Sequence, residues 1–79
     1  MNSSRTVQYR VAFGKKDEAA EGPDDADVVI TIAVADAALD PSVAFMQGKL
    51  KAVGHTGVLF DVLRNGEAAA AISRLASRP

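Results

Sequence analysis

Residues 42–54 read Ser-Val-Ala-Phe-Met-Gln-Gly-Lys-Leu-Lys-Ala-Val-Gly, and their punctuation decides the fold. Asp40 stands where a helix N-cap belongs, and Pro41 suits the first helical position. Val43 to Gln47 complete a short helix, which Gly48 stops. Residues 49–53 then alternate, with Leu50 and Ala52 on one face and Lys49 and Lys51 on the other, as a strand does. Lysines on a strand guard it against edge-to-edge pairing. Past Gly54, Thr56 is placed to cap a helix over 57–64, whose Leu59, Val62 and Leu63 make an apolar stripe.

Upstream, Val7, Tyr9, Val11 and Phe13 alternate with Thr6, Gln8, Arg10 and Ala12, a strand with one buried face that Gly14 ends. Residues 15–25 are polar and contain Gly22-Pro23, which reads as a loop or a long hairpin connection. A second strand follows, with Val28, Ile30, Ile32 and Val34 on one face and Val29, Thr31 and Ala33 on the other. Its two largely apolar faces suggest a central strand covered on both sides. Downstream, Asn65-Gly66 stops one helix, and 67–77 forms another with Ala68, Ala71, Ile72, Leu75 and Ala76 on one stripe. The expectation is an α+β domain: a small three-stranded, mainly antiparallel sheet packed against two to three helices. Its core would be Val7, Tyr9, Val11, Ile30, Ile32, Leu50, Phe60 and Leu63.

Composition excludes several functions. At 79 residues the chain makes a single domain, 1–79, that buries about 60–65% of its unfolded surface. It has no cysteine, so no disulfide or thiolate metal site staples it. A net charge of -1 with mixed signs argues against nucleic acid as a partner. No apolar run nears the ~20 residues of a transmembrane segment. Met1-Asn-Ser-Ser-Arg5 shows no secretory signal, and Ser77-Arg-Pro79 ends on the wrong residue for a peroxisomal address. A cytoplasmic location is expected.

No catalytic constellation stands out. His55, the single histidine, would need an orienting carboxylate such as Asp61 and a nucleophile such as Ser42. No elbow motif supports that set, so His55 is expected as an exposed turn residue. Asp17, Glu18, Glu21, Asp24, Asp25 and Asp27 lack the spacing of a calcium loop and read as a solvated face. Gly14-Lys15-Lys16 lacks the glycine and hydroxyl positions of a phosphate-binding loop. No metal, no cofactor and no catalysis are expected.

The run AFMQGKLKAVG (residues 44–54) resembles the signature of the sterol carrier protein type 2 family. There a helix end (Ala44, Phe45, Met46) meets Gly48, a strand with alternating lysines follows, and Gly54 precedes the next helix. Asp27-Val-Val-Ile-Thr-Ile looks like that family's penultimate strand, and Gly57-Val-Leu-Phe-Asp-Val-Leu like the helix after its last strand. Residues 36–41 look like a shortened form of a helix and loop. The whole is similar to the C-terminal half of such a domain.

The resemblance implies a small lipid-binding or lipid-carrying module for a fatty acid, acyl-CoA or sterol. Its ligand-binding residues would be Phe45, Met46, Val58, Phe60 and Val62. Val58 and Phe60 lie off the Leu59–Val62–Leu63 stripe, so this helix has a second apolar side to cover. An alternative is a non-catalytic accessory subunit that keeps the scaffold without the tunnel. Small cores favour association, which makes a homodimer the expected state. An empty, enclosed pocket of ~300 Å³ would cost about 7 kcal/mol, too much for a domain of this size. The expected pocket is therefore always filled, shared between chains, or absent.

Overall fold

The computed structural model describes residues 6–77. The N-terminal residues searched for a signal and the last two residues of the C-terminal tripeptide lie outside them. Four strands form one sheet: β1 (Val7–Ala12), β2 (Glu18–Glu21), β3 (Val28–Ala33) and β4 (Leu50–Gly54), in the order β2-β1-β3-β4. β1 pairs antiparallel with β2 and parallel with β3, and β3 pairs antiparallel with β4. A single 3-10 turn (Val34–Asp36) leads toward α1 (Pro41–Met46), and α2 (Thr56–Arg64) and α3 (Glu67–Ala76) follow β4.

The fold is therefore α+β, but the sheet has four strands and is mixed, where three mainly antiparallel strands were expected. The extra strand is Glu18-Ala-Ala-Glu21, inside the expected loop. Its residues have poor strand propensity. The neighbour supplies what propensity lacks, because β1 pairs with it from Tyr9↔Glu21 to Ala12↔Glu18. That hairpin takes one side of β1, so β3 returns on the other side in the same direction. A parallel pair needs a long crossover, and residues 13–27, with β2 among them, provide it.

Thr6 and Asp27 fasten the crossover where it passes the start of β1. The Thr6 N–H donates to Asp27 Oδ2 at 3.2 Å, and the Asp27 N–H donates to Thr6 Oγ1 at 3.1 Å. Gln8, placed by alternation on the polar face, is buried beneath the crossing chain. Its Nε2 donates to Asp24 Oδ1 at 3.0 Å, and its Oε1 accepts from Arg10 Nε at 2.7 Å. A buried amide so partnered avoids the desolvation penalty of an unpaired one.

The three α-helices among the described residues lie on one face. α3 packs on β1 and β2, α2 over β3 and β4, and α1 against β4 and α2. Between them and the sheet lie Tyr9, Val11, Val28, Ile30, Ile32, Ala44, Leu50, Val58, Leu59, Val62, Ala68, Ala71 and Ile72. Tyr9, Val11, Ile30, Ile32 and Leu50 are buried as expected, while Val7 and Leu63 are only partly buried at the margin. Phe60 is not a core residue: it is 50% exposed. Val34 ends up in the 3-10 turn, and among the described residues no helix covers the second face of β3. Its Val29 and Thr31 are half-buried among the neighbouring strands' side chains.

Candidate functional site

α1 and α2 are set by local capping. The Asp40 carboxylate accepts from the Ser42 N–H at 2.8 Å, with Pro41 at the first helical position. At the other end Lys49 N donates to Ala44 O at 2.8 Å and Gly48 N to Phe45 O at 3.1 Å, with Gly48 at φ 75°. That pair of bonds is a Schellman stop. It turns the chain into β4 within two residues.

α2 is capped by His55, not Thr56. The ring Nδ1 accepts from the Val58 N–H at 3.3 Å, so the expected turn histidine has a structural task. α2 buries Val58, Leu59 and Val62 against the sheet. Phe60, Leu63 and Arg64, at i, i+3 and i+4, form a second row along it. α1 has the matching row Ser42, Phe45 and Met46.

These two rows line an open cleft of about 380 Å³. The rings of Phe45 and Phe60 meet edge to face, 6.0 Å between centroids and 83° between planes. Met46, at the rim of the cleft, is 82% exposed. Two polar side chains interrupt the lining. Arg64 Nη2 donates to Asp61 Oδ1 at 2.9 Å, one turn back on α2. Ser42 gives its backbone N–H to Asp40.

Of the five residues the sequence singled out, Phe45, Met46 and Phe60 line this cleft. Val58 and Val62 do not: they are 3% and 5% exposed and point into the core, so they reach the cleft only by holding α2 in place. Ser42, Leu63 and Arg64 line it without having been singled out for it. The shared i, i+3, i+4 spacing was the available signal, hidden because Leu63 reads equally well as core. Ser42, His55 and Asp61 do not present a triad: His55 caps α2 and Asp61 holds Arg64.

A second polar cluster lies over β2. Tyr9 donates its hydroxyl to Glu67 Oε2 at 3.2 Å, and Arg74 Nε donates to Glu21 Oε1 at 3.3 Å. Burial, and then the Glu67 carboxylate, push the Tyr9 phenol far above its ordinary range. The cluster ties α3 to the β1–β2 hairpin. No group of three or more potential metal ligands occurs among the described residues. No helix among them is long and apolar enough to cross a membrane.

No protein-family model, no curated protein and no solved structure matches this chain. The functional reading rests on its own residues and on the motif resemblance.

Proposed function

We propose that this chain is a non-catalytic, sterol-carrier-like binding module whose α1–α2 cleft takes the apolar part of a long ligand. Fatty acids, acyl-CoA and sterols are the candidate classes, with the cytoplasm as the expected setting. The observation that carries this reading is the apolar lining of the cleft, with Met46 82% exposed at its rim. Apolar surface left in water costs about 25 cal/mol per Å², and a ligand seated between the two helices would remove that cost. The order of helix, Gly48, strand, Gly54 and helix supports the same reading through the family resemblance.

The cleft also resolves the energetic objection to a pocket. Enclosed and dry, 380 Å³ would cost about 9 kcal/mol at ~24 cal/mol per Å³, within the range of a whole domain's stability. An open trough holds water and avoids that cost. A ligand gains by displacing that water from apolar walls.

The accessory-subunit reading is the alternative. It is favoured by Val53, 73% exposed on edge strand β4, on the face that none of the described helices covers. A second copy or another protein would then cover the apolar surface, and the homodimer belongs to this reading. Titration with a fluorescent long-chain fatty acid tests the first reading. Saturable uptake at micromolar concentration, abolished by Phe60→Asp and untouched by Lys51→Gln, supports it. No uptake by the wild type sinks it. Sedimentation velocity then decides whether the chain associates with itself.

A further inference from the structure

The geometry points to a specific ligand class for the cleft: a single-chain carboxylate of about twelve carbons, its head group held by Arg64. This inference rests on the binding-module reading and narrows it. Two observations carry it, the volume of the trough and the chemistry of its two polar lining residues.

Volume limits the tail. At the ~30 Å³ that a water-sized group fills, 380 Å³ holds about a dozen such groups. A dodecyl chain fills that space. A sterol, with about twenty-eight heavy atoms, needs more than twice as much at the same ~30 Å³ each. The walls provided by Phe45, Met46, Phe60 and Leu63 are flexible or aromatic, which suits a linear chain of no fixed shape.

Charge selects the head. Among the described residues Arg64 is the one cation in the lining, and a guanidinium presents a planar fork that fits a carboxylate with two parallel hydrogen bonds. Its bond to Asp61 comes from Nη2 alone, which leaves the Nε and Nη1 donors for a ligand. Asp61 acts as a positioning residue, anchoring the side chain one helical turn from the Phe60 ring. Ser42 lines the same trough, and a serine hydroxyl is an uncharged donor. An alcohol or ester matches the walls equally well but leaves the fork unused.

The test is competition against a fluorescent fatty acid, with every ligand kept below its critical micelle concentration. Dodecanoate is expected to bind about tenfold tighter than dodecanol, with the gap shrinking as salt screens the exposed Arg64. Arg64→Gln should erase that gap. Its surface pair with Asp61 contributes little to stability, so the variant folds. From octanoate upward, affinity should climb about fourfold per methylene, then level off near twelve carbons.

Equal affinity for acid and alcohol, or a gap that survives Arg64→Gln, overturns the head-group assignment while the cleft stands. Affinity that keeps climbing to hexadecanoate, or cholesterol competing as well as dodecanoate, overturns the size limit. If neither dodecanoate nor dodecanol competes, the inference falls together with the reading beneath it.

Discussion

Gly54 lies against the carbonyl of Asp27. Its φ is 122°, a conformation that L side chains rarely adopt, and a Cβ placed there would run into the Asp27 oxygen. The next residue's N–H, from His55, donates to that same oxygen at 3.0 Å. The end of β4 and the start of β3 are thus locked face to face at the point where α2 begins.

Gly54→Ala should therefore cost about 2–4 kcal/mol, from positive-φ strain plus a backbone clash. Gly48→Ala is the comparison. Its φ is 75°, but a Cβ there meets nothing within 4 Å, so only the left-handed penalty of about 1 kcal/mol remains. Urea midpoints of the two variants check the order, and equal losses would refute the clash at Gly54.

The His55 ring is predicted to stabilise α2 by capping it. His55→Ala should lower stability by about 1 kcal/mol, with Asn or Asp recovering most of it. Thr56, which the spacing suggested as the cap, is exposed, and Thr56→Ala should change stability by less than about 0.5 kcal/mol. Thermal unfolding of the variants separates the two assignments.

Tyr9 gives the fold an alkaline limit. Desolvation and the Glu67 carboxylate raise its folded-state pKa above the ~10 of an unfolded chain. Below that value both states keep the proton and the stabilisation is complete. Above about pH 10 the unfolded state binds fewer protons than the folded one, so stability falls as pH rises. Tyr9→Phe should flatten this fall relative to wild type in denaturant titrations between pH 9 and about 11. An identical slope in both proteins would refute it.

The legible parts of the fold were those whose local chemistry and tertiary environment agree. Asp40-Pro41 began a helix and Gly48 ended it as written. The Tyr9–Val11 and Ile30–Ile32 alternation marked two buried strand faces. What stayed hidden depended on partners far along the chain. Glu18-Ala-Ala-Glu21 has no strand signature until β1 lies beside it, and the parallel pairing of β1 with β3 follows from that hairpin. Gln8 reads as a surface residue because nothing local announces that residues 22–27 will cross over it. Phe60 was read as both core and ligand contact. Only the docking of α1 beside α2 determines that it faces the cleft, while Val58 and Val62 turn inward.

That distinction yields a last pair of substitutions. Ile32, 1% exposed, lies in the middle of the core, and Ile32→Ala should cost about 2–5 kcal/mol through lost burial and a cavity. Phe60→Ala removes a half-exposed ring and an edge-to-face contact with Phe45 worth about 0.5–1.5 kcal/mol. Its total cost should stay near 1–2 kcal/mol, well below that of a buried aromatic. Melting curves rank the two. A Phe60→Ala loss as large as that of Ile32→Ala would mean that the ring is structural and that α1 and α2 close on each other without a cleft. A small loss, with the far-UV circular dichroism of wild type, would leave the ring free to meet a ligand.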